Sequence, residues 1–136
     1  MTSTDEEAVR ATLAEIDAGF AAGDPQRVLS RIADDARFGF LNTPTIEGRE
    51  ALRAFLERLF ATFDLSTHVA SYDEVEIHGH HGYAIGEYRE IHRPHGGGPG
   101  SSIEGRVVYV LRRADDGAWR VTRFLNQHAR PVQEVP

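Results

Sequence analysis

The chain has 136 residues, no cysteine and no lysine, so its fifteen basic residues are all arginine, and its net charge is −6 with histidines neutral. A chain of this length can bury roughly two-thirds of its unfolded surface without staples. The missing residue types exclude disulfides, thiolate chemistry, Schiff-base lysines and Walker-type lysines. The acidic balance argues against nucleic acid as a partner.

The N-terminal stretch "STDEEAVRATLAEIDAGFAAGD" reads as a helix. Ser3 or Thr4 followed three residues on by Glu6 or Glu7 makes a capping pattern, and Val9, Leu13, Ile16 and Phe20 form one apolar stripe. Asp17 lies beside that stripe and could reach a cavity, but an exposed helical aspartate is the commoner case. Gly23 ends the helix. Asp24 can cap a second helix with Pro25 at its first position, turning Val28, Leu29 and Ile32 inward. A short strand is expected around Ala36–Leu41, after an Asp34–Asp35 pair that reads as solvated. The third helix, "REALRAFLERLFATF", presents Leu52, Phe55, Leu56, Leu59, Phe60 and Phe63 on a wide apolar face.

After Asp64 the period changes to two. Strands are expected near 67–78, 83–93, 103–113 and 118–128, joined by "GHHG", "PHGGGPGSS" and "ADDGA". The plan is α+β: three helices followed by an antiparallel meander, in a single domain spanning residues 1–136. If "GHHG" is a four-residue turn, His78 faces Tyr83, Glu76 faces Ile85 and Glu74 faces Glu87. One face then carries Glu74, Glu76, His78, Glu87 and Arg89 and is mostly solvated. The core face carries Val75, Ile77, Ala84, Gly86 and Tyr88, and continues into Asp73, Glu90 and His92.

Five of the seven histidines lie between Ile77 and Gly100. A metal would need three or four ligands converging on one point at about 2.0–2.2 Å. On a straight strand His81 and His92 are roughly 35 Å apart, so one subunit cannot gather them around one ion. His-Gly-His at 78–80 lacks the later glutamate of a cupin pattern, and no H-E-x-x-H occurs. His78, His80 and His81 therefore read as exposed turn residues, and a metal reading requires histidines from two subunits. "GGGPGSS" reads as a flexible hairpin loop, with a pocket lid as the alternative. No Gly-x-Ser-x-Gly elbow is present. With no signal-peptide pattern and no apolar run of membrane-spanning length, a cytoplasmic protein is expected.

The segments "AAGD", "IADDARF", "EGREALRAF" and "DGAWRV" together resemble the SnoaL-like, nuclear transport factor 2-like superfamily, over about residues 5–130. "WRVTRFLNQHARP" is similar to the closing strand of SgcJ/EcaC-type members. The resemblance implies a conical barrel. A strongly bent antiparallel sheet would wrap three N-terminal helices, leave a hydrophobic pocket, and dimerise through its outer face. Ketosteroid isomerase, in the same superfamily, uses a Tyr and an Asp; the matching positions here are Ile16 and Phe40, which can neither donate to an oxyanion nor take a proton. That mechanism is therefore not expected.

The pocket candidates are Tyr88, Glu90, Tyr109 and Asn126, together with Trp119, whose bulk suits the core better than a ligand contact. If the protein is an enzyme, His92 or His128 is the expected general base, and Asn126 and Tyr88 would steady an oxyanion. The reaction would be a cofactor-free isomerisation or polyketide-type cyclisation of an apolar carbonyl compound. A non-catalytic ligand-binding or dimerisation module is the competing class, since fold does not fix function. The expected partners are an apolar small molecule and a second copy of the chain, with no metal, nucleic acid or membrane.

Overall fold

The computed structural model describes residues 2–136, with the side chains of Thr2 and Ser3 left out. Helix α1 spans Thr2–Ala22, α2 spans Pro25–Leu29 and α3 spans Arg49–Thr62. Four long strands follow: β4 (Val69–His78), β5 (His81–Pro94), β6 (Gly100–Arg113) and β7 (Trp119–His128). Four shorter ones complete the sheet: β1 (Ile32–Gly39), β2 (Ile46–Glu47), β3 (Phe63–Asp64) and β8 (Gln133–Val135).

The apolar stripe of α1 is the inner wall: Val9, Leu13, Ile16 and Phe20 are all buried. The capping expectation at Ser3 lies outside the described side chains, and Thr4 falls inside the helix. Asp24 caps α2 as its spacing requires, accepting from the Arg27 N–H at 3.2 Å. Leu52, Leu56 and Phe60 of α3 are buried, with Phe55, Leu59 and Phe63 packed against them at its margin. Each fully buried aliphatic side chain contributes about 1.5–3 kcal/mol.

The strand order is β2-β1-β7-β6-β5-β3, with β4 also pairing β5 and β8 pairing β6. The sheet is thus a curled meander with helices on its concave side. Sequence alternation leaves three features unforeseen. First, β1 starts at Ile32 and runs parallel to β7, with Phe38 beside Phe124 and Gly39 beside Leu125. Second, the β4–β5 turn has two residues, Gly79 and His80, because His78 pairs with His81. Gly79 supplies the positive φ of 64° that such a turn takes at its first position. The expected pairing is therefore two residues out of register. An even slip leaves the faces intact, so Glu74, Glu76, Tyr83 and Ile85 still share the outer face.

Third, a bulge between Tyr72 and Glu74 adds a residue to β4. The slip is odd below it, so Tyr72 and Ala70 turn inward and Asp73 is exposed. Asp73 does not continue the core face as expected. At the other end of the hairpin, "GSS" is strand rather than loop: Gly100, Ser101 and Ser102 pair with β8, which covers that edge.

Candidate functional site

The concave face and the helices line a cavity of about 240 Å³ that opens to the surface. Its walls are largely aromatic. Phe40 stacks on Phe55 with ring centroids 4.7 Å apart, and both Phe40 and Tyr109 pack on Phe124. Four polar side chains from three elements meet at one side: Asp17 from α1, His68 from the turn before β4, and Glu90 and His92 from β5.

His68 is the centre of this group. Its Nε2 lies 2.9 Å from Asp17 Oδ1 and its Nδ1 lies 2.7 Å from Glu90 Oε1. Its side chain is only 7% exposed, and those of Asp17 and Glu90 are 17% and 11% exposed. Burial alone would push an imidazolium's pKa down. Hydrogen bonds and charge from Asp17 and Glu90 outweigh that and raise it to about 9. His68 is therefore cationic at neutral pH, donating from both ring nitrogens. For Glu90, burial raises the pKa, but the hydrogen bonds from His68 and His92 prevail and hold it at about 2. The second oxygen of Asp17 accepts the Tyr72 hydroxyl at 2.9 Å.

Glu90 Oε2 lies 2.5 Å from His92 Nε2. A carboxylate can only accept, so that nitrogen carries the proton and a neutral His92 has its lone pair on Nδ1. His92 is the most exposed of the four at 20%, with its ring against Phe63.

A second arrangement crosses the sheet. Asn126 Oδ1 accepts the Leu41 N–H at 3.1 Å, which fixes the amide orientation, and Asn126 Nδ2 donates to the Tyr88 hydroxyl at 3.0 Å. The Tyr88 oxygen accepts in that bond, so its own proton, and the second proton on Asn126 Nδ2, are available to an oxygen in the cavity. Burial, and then the charge of Glu90, raise the Tyr88 phenol to about 12, so it stays a donor.

Of the residues singled out in the sequence, Tyr88, Glu90, His92, Tyr109, Asn126 and His128 all line the cavity. Trp119 does not. It is 3% exposed in the core, near the far end of β7, where its carbonyl accepts from Thr12. Asp17 is the reverse case: it faces the cavity, where an exposed position was expected. Its spacing carried the signal, four residues after Leu13 and three before Phe20, both on the core face. Ile16, at the position a tyrosine would occupy in ketosteroid isomerase, is fully buried core, while Phe40 is cavity wall. His68 carried no local signal, because its partners are 51 and 22 residues away. His78 and His81 are exposed, as is His80, whose Nδ1 accepts from Arg113. Among the described residues, no group of three metal-ligating side chains converges as an ion would require.

Fold and cavity together define a cone-shaped α+β protein of the nuclear transport factor 2-like kind. The chain belongs to the SnoaL-like domain family, whose model matches residues 1–124. Among solved structures it is similar to a ketosteroid isomerase-like protein from Erwinia carotovora atroseptica, at 16% identity and a TM-score of 0.84, covering 92% of this chain and 96% of that one. It is also similar to a provisionally named scytalone dehydratase from Novosphingobium aromaticivorans: 15% identity, TM-score 0.81, 98% and 91% covered. A third is a nuclear transport factor 2-like superfamily protein from Salmonella enterica, at 14% identity, TM-score 0.81, with 96% and 95% covered. At these identities the likeness is one of fold. No curated protein matches the chain. No helix among the described residues is long and apolar enough to cross a membrane.

Proposed function

We propose that the chain is a cofactor-free acid–base enzyme that moves a proton next to the carbonyl of a neutral, apolar ring compound, as an isomerase or cyclase does. The observation that carries this is the ordered series Asp17, His68, Glu90, His92, set in an aromatic-walled cavity beside two uncommitted donors. His92 Nδ1 takes the proton, and the C–H electron pair moves into the enolate. Glu90 holds the ring and stabilises the imidazolium that forms. Tyr88 and Asn126 donate to the enolate oxygen. His92 then returns the proton to carbon. His68 touches both carboxylates and acts as a positioning residue. His128, the other base candidate, lines the same cavity but has no carboxylate partner among the hydrogen bonds described.

One observation favours a binding module instead: both nitrogens of His68 and both oxygens of Asp17 and Glu90 are already paired within the protein. Deuterium exchange separates the readings. With 1-tetralone in D₂O, the enzyme reading expects label at the carbon beside the carbonyl faster than in buffer, and loss of that acceleration in His92→Gln. Bound but unlabelled ketone would leave the module reading. The expected homodimer would use the sheet's outer face, where Val108 pairs with Leu125 and Leu125 is 63% exposed. Sedimentation velocity of wild type and Leu125→Asp checks it.

A further inference from the structure

The Tyr88–Asn126 bond joins β5 to β7 across the intervening strand β6. The register puts Gly105 of β6 directly beside Tyr88 on one side and beside His128 on the other. For the phenol to reach Asn126, its ring has to lie across β6 at that point. A Cβ added to Gly105 would stand 2.3 Å from Tyr88 Cε1, 2.6 Å from Cζ and 2.8 Å from the hydroxyl oxygen. These are distances real Cβ atoms do not adopt, and all three of the nearest atoms belong to the same side chain.

The backbone gives no competing reason for glycine. Gly105 is absent from the chain's positive-φ positions, so an L residue fits its conformation. Gly86, another glycine of the concave face, differs. A Cβ there would lie 2.1 Å from the Ser71 carbonyl oxygen, a backbone conflict at the β4 bulge. At position 105 the nearest obstruction to a side chain is the Tyr88 ring, not backbone.

We infer that Gly105 is a positioning residue for the cavity's carbonyl subsite. Its missing side chain lets Tyr88 lie across β6, and so brings the phenol O–H and the Asn126 N–H onto one ligand oxygen. This rests on the proposed function insofar as that oxygen is a substrate carbonyl. The contact with Tyr88 stands independently of it. In Gly105→Ala the methyl displaces the ring, the Asn126 bond breaks, and one donor leaves the subsite.

Two measurements test this. The first is the infrared carbonyl band of bound ¹³C=O-labelled 1-tetralone. Wild type should shift the band to lower frequency relative to an apolar solvent. Tyr88→Phe and Gly105→Ala should each lose most of that shift and bind the ketone about tenfold more weakly, the worth of one hydrogen bond. A wild-type shift that Gly105→Ala leaves intact overturns the role of Gly105 and spares the carbonyl subsite. A wild type with no shifted band overturns the subsite, and the positioning role with it.

The second needs no ligand and copes with a poorly folding variant. Urea midpoints are compared for Gly105→Ala in wild-type and Tyr88→Ala backgrounds. The methyl should lower the midpoint clearly in the first and leave it unchanged in the second, where the ring is gone. Equal losses in both would mean that position 105 serves the strand rather than Tyr88, and would overturn the inference.

Discussion

His68 Nε2 lies 2.9 Å from Asp17 Oδ1, although one residue stands just before β4 and the other in the last third of the first helix. The contact fastens α1 to the start of β4 at the cavity wall. It also makes stability depend on pH. His68 is raised from an ordinary 6.5 to about 9, so its contribution is complete below pH 6.5 and is lost as pH rises from there through 9. The loss is on the order of 3 kcal/mol. Urea denaturation across this range should show the fall in wild type, and His68→Gln should flatten it. An equally steep fall in the variant would assign the dependence to other groups.

Glu90 gives the opposite limb. Its pKa is lowered from 4.5 to about 2, so its contribution is complete above pH 4.5 and is lost as pH falls through 2. With both limbs present, the contribution of this cluster is greatest between about pH 4.5 and 6.5. In Glu90→Gln the acid limb should shrink. The alkaline limb should shrink with it, because His68 loses one of the two carboxylates that hold its proton. An alkaline limb that survives intact would show that Asp17 alone sustains the His68 charge.

His92 and Glu90 should act as one unit in catalysis. Replacing His92 by Gln should lower the proton-exchange rate on 1-tetralone by about 10²–10⁴-fold, the usual worth of a general base. Glu90→Gln keeps the shape but not the charge that fixes the His92 tautomer, so its loss should be comparable. The double variant should then be little worse than either single one. Losses that multiply would argue that the two residues act independently.

Elements were legible in the sequence wherever periodicity was long: the α1 stripe, the α3 face and the four long strands all follow the spacing of Leu, Ile, Phe and Val. What was not legible depends on tertiary closure. The parallel docking of β1 on β7 joins segments about ninety residues apart, and no local pattern encodes it. The bulge at Asp73 leaves alternation looking regular while reversing which residues face inward, so Tyr72 could not be placed. The strand residues of the site, Tyr88, Glu90, His92, Tyr109 and Asn126, could be found because alternation puts them on one face. His68 stands in a turn, outside any periodic element, and acquires its meaning only from partners on other elements.

Trp119 supplies a negative control. It is buried in the core, as its bulk favours, and lines no part of the cavity for which it was also a candidate. Trp119→Phe should destabilise the fold by about 1–3 kcal/mol in urea, as core shape changes do. It should leave the affinity for 1-tetralone within twofold of wild type by isothermal titration calorimetry. A tenfold loss would return the indole to the ligand site.

The aromatic wall should set the size of the ligand. Phe40 and Phe55 stack nearly parallel, with 16° between their planes, and both line the cavity. An engineered apolar cavity of about 150 Å³ admits one benzene ring, so a cavity of about 240 Å³ suits two fused rings. Phe40→Leu removes ring volume from the wall without touching Asp17, His68, Glu90 or His92. Phe40 is partly buried, so the cost should stay nearer 1–2 kcal/mol than the larger values of fully buried Phe→Ala changes. The variant should bind a three-ring ketone such as anthrone better than wild type does, relative to 1-tetralone, while the pH dependence of stability stays unchanged. An unaltered preference would mean that size selection lies at Leu59, Ile103 or Phe124 instead.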